Sequence, residues 1–355
     1  MSYHTSVYTA CEDLQGRMSN VWGMGTDPQL RRDPSVFLEW LLSPANVNGI
    51  NQTVNPGNGK TRTVNLIYDQ PYLESQVLSV GDRDCRTGDP DGDKVETYEI
   101  DTTDILEWKQ SFKLADLTRK CEENPDFIAR RMLMGMIAVD QAAATKIAGQ
   151  AAALAGEWST DVETAMTVTS DELIVETKDA QGNLKGGALE EIQWAAQASG
   201  FGSFVGFGGQ LLDQHFRLSL AGCCAKWGVH IGELLNQYGF AFGYDRRLAT
   251  ALGSVTANNL IADVGALQVL HYTENEGLNG IESFNLAAGN FYGTAVTPAG
   301  IPVDVTIKDE CKTFTIQIQA NVKLVGLPTD MYRTGSNFEG VNGVALVKVT
   351  NPSGQ

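Results

Sequence analysis

A glycine-rich stretch from Gly200 to Gly209 is the first place where residue types and spacing could do chemistry. It precedes a predicted helix, and backbone N–H groups at the start of a helix can hold a phosphate. The spacing does not match G-x-G-x-x-G, and the Lys-Ser or Lys-Thr pair of a phosphate-binding loop does not follow. The stretch therefore favours close backbone packing at a strand-to-helix turn over phosphate binding.

A second group consists of carboxylates that could supply oxygen ligands to a calcium ion: Asp89, Asp91, Asp93 and Glu96. The twelve-residue calcium loop requires Gly at its sixth position and Glu at its last. Here Lys94 and Ile100 occupy those positions. The pattern is more typical of a solvated turn between two strands than of a calcium site.

The histidines form a third group, and they are scattered along the chain: His4, His215, His230 and His271. None belongs to an H-E-x-x-H motif, and the sequence has no G-x-S-x-G motif. His215 with Asp213, or His230 with Cys223, could form a catalytic pair, but single histidines like these are more typical of a helix surface or interior. We therefore expect no catalytic residue, no cofactor and no metal site.

Composition narrows the class of protein further. The chain has 355 residues, of which 43% are hydrophobic, so it can bury a core and form roughly two domains. Its 26 basic and 43 acidic residues leave a net charge of -17. This charge disfavours nucleic acid and anionic membrane as partners of most of its surface. Six cysteines without paired spacing, and no signal peptide or bilayer-length apolar stretch, predict a soluble intracellular protein.

The first segment, residues 1–59, has the composition of an arm. Gly and Pro recur through it, and over residues 1–62 the five basic and five acidic residues balance. One short helix is predicted over Ser35 to Leu42, where Val36, Phe37, Trp40 and Leu41 form an apolar stripe at helical spacing. We expect Phe37, Trp40 and Leu41 to contact a neighbouring subunit.

The second segment, residues 60–114, alternates apolar and polar residues as two strands do, and Asp91-Gly92 at its tip suits a tight turn. Residues 69–104 contain eleven acidic and three basic side chains. A two-stranded element this acidic has no core of its own, so we expect it to lie on another subunit or on its own domain. Its tip residues are predicted inter-subunit contacts: Asp89, Asp91, Asp93 and Lys94.

A long helix is predicted from Asn124 to about Ala155, with Asn124 as its N-cap, Pro125 in its first position and Gly156 after its end. At 1.5 Å per residue it would be about 45 Å long. Beyond it, helical and strand patterns alternate. The clearest strand signals are two alternating runs, Val303 to Ile307 and Phe314 to Ala320, which predict a hairpin. The fold class is therefore mixed α/β, of the α+β type.

This order of segments resembles the major capsid proteins of tailed bacteriophages that have the Hong-Kong-ninety-seven fold. The resemblance covers nearly the whole chain and includes the phrase Gly239 to Asp245 and the late strands that end at Pro328. It implies five segments: an N-terminal arm at 1–59, an extended hairpin loop at 60–114, a peripheral domain at 115–187 with a spine helix at 124–155, an axial domain at 188–299, and strands returning to the peripheral domain at 300–355.

The resemblance implies a structural subunit, not an enzyme, that self-assembles as pentamers and hexamers into an icosahedral head around double-stranded DNA. It implies a virion protein that assembles in the host cytoplasm with a portal and a decoration protein as partners. It involves no membrane and no sequence-specific contact with DNA. Many relatives begin with a charged, cleaved scaffold segment that is missing after Met1, so we expect a separate scaffolding protein. Some relatives also form a Lys-Asn cross-link, but no Asn partner can be matched to Lys94 or Lys60.

Three alternatives remain open at the level of sequence. The first is the shell protein of an encapsulin-like nanocompartment, which would share the fold. The second, from another class, is a cytosolic α/β enzyme that uses the turn between Gly200 and Gly209. The third is a tail or fibre subunit, which the long Ala-rich helix disfavours.

Overall fold

Helices and strands alternate along the chain after residue 33 in the structure, which is a computed structural model. It describes the following residues: 33–44, 46, 52–55, 62–69, 93–101, 104–113, 127–179, 181, 185, 187–223, 241–274, 290–310, 313–333 and 336–351.

The helices of the described residues are α1 Val36–Leu41, α2 Phe127–Ala153, α3 Thr160–Ala165, α4 Ala188–Ala198, α5 Gln210–Cys223 and α6 Arg246–Ala251. The strands are β1 Gln52–Asn55, β2 Arg62–Asp69, β3 Asp93–Ile100, β4 Ile105–Lys113, β5 Val168–Thr169, β6 Glu172–Glu176, β7 Phe204–Gly208, β8 Ala241–Tyr244, β9 Asn258–Asp263, β10 Leu267–Tyr272, β11 Asn290–Val296, β12 Pro302–Glu310, β13 Thr313–Gly326 and β14 Val344–Thr350. The predicted mixed α+β class is confirmed. Within the described residues, no helix has both the length and the apolar character that crossing a bilayer requires.

The chain divides into two units. The first unit contains Met1–Pro34, Ile100–Ala144 and Leu270–Lys323. The second unit contains Ser35–Glu99, Thr145–Val269 and Leu324–Gln355. The five segment boundaries implied by the sequence resemblance stay a prediction.

The second unit is built around a six-stranded sheet with the order β5-β6-β14-β9-β7-β8. Two of its strand pairs, β6 with β14 and β7 with β8, are parallel, and the other described pairs are antiparallel. Its core includes Trp158, which stacks on Phe201 with 6.1 Å between ring centroids. The Trp158 indole Nε1 donates a hydrogen bond to the Leu346 carbonyl (3.0 Å), so this large side chain is buried with its polar atom satisfied.

The first unit packs helix α2 against a sheet. Strands β4, β13, β12 and β11 lie side by side and antiparallel, and Trp108 of β4 stands opposite Ile318 of β13. A Cβ atom built on Gly135 of α2 would lie 2.5 Å from the Trp108 ring and 2.8 Å from Ile318 Cδ1. The helix therefore approaches the sheet closely at Gly135, where it has no side chain.

A smaller sheet has the order β1-β2-β3, and its first two strands are antiparallel with Val54 opposite Val64. Val64 and Leu66 of β2 are buried. On the other face of the same sheet, the Thr97 hydroxyl donates a hydrogen bond to Asn65 Oδ1 (2.9 Å). The strands thus have one buried and one polar face, as their alternation predicts.

Single helices and hairpins lie where the sequence patterns predict them, whereas one long-range strand pairing was not predicted. The long helix is present at Phe127–Ala153, and its predicted cap residues Asn124 and Pro125 lie outside the described residues. The late hairpin is present as β12 and β13. The sequence analysis assigns residues up to 114 to the hairpin of the second segment. In the structure, Ile105–Lys113 of this segment form β4, which pairs along its whole length with β13.

Candidate functional site

The first candidate site is the place where the N-terminal arm docks on the second unit. We call the described residues 33–44 and 46 the strap. Its helix α1 begins at Val36 because the Ser35 hydroxyl caps it, accepting a hydrogen bond from the Leu38 N–H (3.2 Å). Phe37 meets the ring of Phe207 edge-on, with 5.2 Å between centroids, and Trp40 lies 5.1 Å from the same ring. The strap is therefore anchored by an aromatic cluster.

A single buried carboxylate joins the strap to the sheet. Asp245 follows β8 and is the N-cap of α6, where its Oδ1 accepts hydrogen bonds from the N–H groups of Arg247 (3.0 Å) and Leu248 (3.1 Å). Its Oδ2 accepts hydrogen bonds from the Ser35 hydroxyl (2.6 Å) and the Phe37 N–H (3.2 Å). One carboxylate thus serves the N-termini of two helices that lie about two hundred residues apart.

Asn46 holds the other end of the strap. Its Nδ2 donates hydrogen bonds to the carbonyls of Leu267 (2.9 Å) and Leu41 (3.3 Å), and its Oδ1 accepts one from the Gly265 N–H (3.0 Å). This amide is fully buried, and its donor and acceptor atoms both have partners.

The residues predicted to contact a neighbouring subunit have the following places in the structure. Phe37 and Leu41 are 1% exposed and Trp40 is half-buried, all within the strap of the same chain. Asp89 and Asp91 lie outside the described residues. Asp93 and Lys94 begin β3, and their side chains are outside the description as well. Contact of these residues with a neighbour stays a prediction.

The backbone N–H groups between the glycine-rich turn and the start of α5 already donate hydrogen bonds within the chain. The Gly209 N–H donates to the Asn258 carbonyl (3.0 Å) and to Asn259 Oδ1 (2.8 Å). The N–H groups of Gln210 and Leu211 donate to the carbonyls of Val255 (3.1 Å) and Thr256 (3.0 Å). A Cβ on Gly209 would lie 2.6 Å from the Thr256 carbonyl oxygen. The glycine therefore permits close backbone packing, and these N–H groups are used by the neighbouring turn.

A polar cluster that the sequence did not suggest joins the end of α4 to the C-terminal region. Gly200, with φ +78°, closes α4, and its carbonyl accepts hydrogen bonds from Arg333 Nε (3.1 Å) and Nη2 (2.7 Å). The Tyr332 hydroxyl donates to Asp263 Oδ2 (2.8 Å). Burial and the nearby Asp263 raise the pKa of Tyr332, so the phenol stays a donor. The cluster ties helix α4 to residues 332–333.

Of the two pairs that could have been catalytic, Asp213 with His215 lies within the described residues. The Asp213 carboxylate pairs with Arg217 (2.9 Å from Oδ2 to Nε) and does not hold His215. His215 is buried on α5, and its Nδ1 has no hydrogen-bond partner in the described part of the chain. His230 lies outside that part, and Cys223 ends α5. The described residues contain no group of three or more His, Cys, Asp or Glu that could hold a metal ion.

His215 makes the stability of the second unit depend on pH. Burial lowers the pKa of His215 below its ordinary 6.5, and the negative charge of Glu190 opposes this shift. The neutral imidazole is therefore favoured by the fold. Its contribution to stability is complete above pH 6.5 and is lost as the pH falls from there towards the folded-state pKa.

We expect the free energy of unfolding to fall as the pH drops below about 6.5 in the wild-type chain, and to fall less in His215→Gln. Urea denaturation at a series of pH values measures the change, and His271→Gln is the matched control. Equal pH dependence in the wild type and His215→Gln would contradict the assignment.

Large apolar side chains that are exposed in the described residues are candidate contact points: Val36, Trp194, Tyr244, Val255 and Val296. Val296 is 64% exposed at the tip of the β11–β12 hairpin. Asp140 of α2 anchors this tip, because its Oδ2 accepts a hydrogen bond from the Ala299 N–H (3.0 Å). The tip therefore presents an apolar side chain from a backbone held in place.

Comparison with known proteins gives structural neighbours only. No protein-family model matches the sequence. No curated protein matches it. The solved structures similar to this chain include the capsid of Ralstonia phage GP4, with 11% identity, a TM-score of 0.41, and coverage of 91% of this chain and 93% of that one.

Two further neighbours are the capsid of Myoviridae phage XM1 and the satellite phage P4 procapsid with its size determination protein. The XM1 chain is 12% identical, with a TM-score of 0.38 and coverage of 83% of this chain and 87% of that one. The P4 chain is 10% identical, with a TM-score of 0.35 and coverage of 95% and 98%. With TM-scores below 0.5, the functional argument rests on the residues of this chain.

Proposed function

We propose that the chain is a major capsid protein with a Hong-Kong-ninety-seven-like fold, a subunit of the icosahedral head of a tailed bacteriophage. The observation that carries the proposal is the order of elements. A docked arm helix comes first, then the strands β2 and β3, then the 27-residue helix α2, then an α/β unit, and finally late strands. This is the segment order that the sequence resemblance implies.

The return of the late strands supports the same proposal. Strand β13 pairs with β4 over nine residue positions, from Thr313 opposite Lys113 to Asn321 opposite Ile105. The late strand β13 thus shares a sheet with β4, the strand that precedes the long helix. Because β4 lies in the proposed extended loop at 60–114, the pairing supports a return of late strands to the part of the chain before the long helix.

The proposed role as a shell subunit implies a set of partners. The chain would bind copies of itself in pentamers and hexamers, with a separate scaffolding protein, a portal and a decoration protein. It would assemble in the host cytoplasm, become part of the virion, and enclose double-stranded DNA without sequence-specific contacts or a membrane. The net charge of -17 suits a container that does not grip its genome.

The alternatives are less well supported by the geometry. An enzyme using the Gly200–Gly209 turn would need backbone N–H groups that donate instead to the carbonyls of Val255, Thr256 and Asn258. We therefore propose a structural, non-enzymatic role. An encapsulin-like shell would share the fold, and the two are distinguished by their contents, because a phage head encloses DNA and a nanocompartment encloses protein.

Sedimentation and light scattering of the purified chain test the proposal. We expect capsomers, shells or larger assemblies whose proportion rises with protein concentration. A single species near the subunit mass of 38.4 kDa at every protein and salt concentration would contradict a shell subunit.

The acidic element predicts how assembly depends on ions. Residues 69–104 have eleven acidic and three basic side chains, and symmetric assembly would bring many copies of this charge near neighbouring subunits. Salt screens such charges within about 10 Å, and each exposed ion pair is worth about 0.2–1 kcal/mol. We therefore expect assembly to be weakest at low ionic strength without divalent cations.

Replacing Asp89, Asp91 and Asp93 with Asn should relax this dependence. The measurement is light scattering over a salt and magnesium series on the wild type and the triple variant. A triple replacement of Asp161, Asp171 and Asp330, which lie outside the acidic element, is the control for the loss of three charges. Identical curves for the wild type and the Asp89, Asp91 and Asp93 variant would show that the tip is only solvated.

A further inference from the structure

The Asp245 carboxylate has two oxygens with separate tasks. Oδ1 accepts from the backbone of α6, at the N–H groups of Arg247 and Leu248. Oδ2 accepts only from the strap, at Ser35 and Phe37. Because each oxygen faces a different helix, the two attachments can in principle be broken separately.

The strap keeps its helical turn by contacts of its own. The Ser35 hydroxyl caps α1, the Leu42 N–H donates to the Leu38 carbonyl (3.1 Å), and the Ser43 N–H donates to the Trp40 carbonyl (3.0 Å). Two side chains link the strap to the rest of the second unit by hydrogen bonds, Asp245 at its start and Asn46 at its end. A six-residue helix is marginal on its own, so we expect its amides to lose protection when the strap detaches.

The strap also covers apolar surface when it is docked. Phe37, Leu38 and Leu41 are almost fully buried, and a Cβ built on Gly243 of β8 would lie 3.0 Å from Val36 Cγ1 and 3.4 Å from the Phe207 ring. Detachment would expose these side chains and Phe207 to water, which favours the docked state. Apolar burial and the two polar attachments thus both favour the docked state, and the chain entropy gained on release opposes them.

We propose that Asp245 is the positioning residue of the N-terminal arm: its Oδ2 holds the strap on the second unit, and breaking this one attachment releases the strap while Oδ1 keeps α6 capped. Any consequence for assembly rests on the proposed function. The release itself is a property of the single chain.

Asp245→Asn separates the two tasks. The asparagine Oδ1 can still cap α6, since Asn is as good an N-cap as Asp, whereas the amide group on the other side brings N–H donors against the Phe37 N–H. Hydrogen exchange of the purified full-length chain measures the result. We expect amides in residues 36–41 to exchange roughly tenfold faster or more, and amides in residues 248–251 to be unchanged.

Three further variants make the test decisive. Asp245→Ala removes both attachments and should speed exchange in residues 36–41 and in residues 248–251. Ser43→Ala removes a hydroxyl that bonds only within the strap, at the Trp40 carbonyl (2.6 Å), and should leave α6 and the attachment unchanged. In Asp245→Asn, a disulfide formed by Val36→Cys and Gly243→Cys should restore the protection of residues 36–41.

Wild-type exchange in residues 36–41 of Asp245→Asn would overturn the proposal, and so would equal loss of protection in α6. Neither outcome requires that the chain assembles. If release is observed while the chain stays a monomer under all conditions, the positioning role stands and the proposed capsid function falls. If shells form and Asp245→Asn protects the strap as well as the wild type does, the positioning role falls alone.

Discussion

Replacing Gly135 with alanine should lower the free energy of unfolding by about 1–3 kcal/mol, although alanine is the better helix former. The reason is the close approach of α2 to its sheet. An added Cβ would lie 2.5 Å from the Trp108 ring and 2.8 Å from Ile318 Cδ1. Both neighbours are held in paired strands, so neither can move without disturbing the β4–β13 register.

The same helix offers a matched control. Gly149 also lies within α2, and nothing is within 4 Å of the position that its Cβ would take. Gly149→Ala should therefore stabilise the chain by up to about 1 kcal/mol through helix propensity. Urea denaturation of both variants measures the contrast.

Trp108→Leu should reduce the cost of Gly135→Ala, because a smaller side chain leaves room for the methyl group. A double-mutant cycle reports this coupling, which we expect to reach about 0.5–3 kcal/mol. Stabilisation by both glycine replacements would contradict the close packing of the helix on Trp108.

Phe37→Ala should lower the free energy of unfolding of the dispersed chain by about 3–5 kcal/mol. The Phe37 side chain is 1% exposed and packs edge-on against Phe207 of the same subunit, so its removal leaves a cavity there. Val36→Ala, on the exposed side of the same helix at 42%, is the control and should change stability by less than about 0.5 kcal/mol. Thermal and urea denaturation measure both.

This variant also separates two roles for the arm helix. If Phe37 served chiefly to contact a neighbouring subunit, Phe37→Ala would leave the dispersed chain as stable as the wild type and would impair assembly only. That result would contradict the intrachain role that the structure gives to this side chain.

Elements defined by local pattern were predictable from the sequence. The sequence of α2 shows cap signals, apolar spacing and length in one stretch of chain, and the sequences of β12 and β13 alternate strictly. Both are present close to their predicted places. The apolar stripe of α1 was also recognised, since its period is helical, but the pattern does not say which surface the stripe meets. Phe207, which it meets, lies 170 residues further along the chain.

Long-range polar contacts were not predictable, because no local period marks them. Asp245 follows a strand as an ordinary N-cap would, and nothing in the sequence says that its second oxygen serves Ser35. The pairing of β4 with β13 was missed for the same reason: alternation shows that a segment is a strand and not which strand lies beside it. The sequence of α2 does not distinguish Gly135 from the other small residues of the helix. Its importance follows from the position of Trp108, which lies in a strand elsewhere in the sequence.

The most direct test of the shell proposal is electron microscopy of the assembled chain, produced alone and together with a candidate scaffolding protein. We expect closed particles, or fragments of shells, built of five- and six-fold capsomers. In each capsomer, we expect every subunit to have α2 and its sheet at the periphery. Particles no larger than a single subunit in both preparations, at every protein concentration, would contradict the proposal that this chain is the subunit of an icosahedral head.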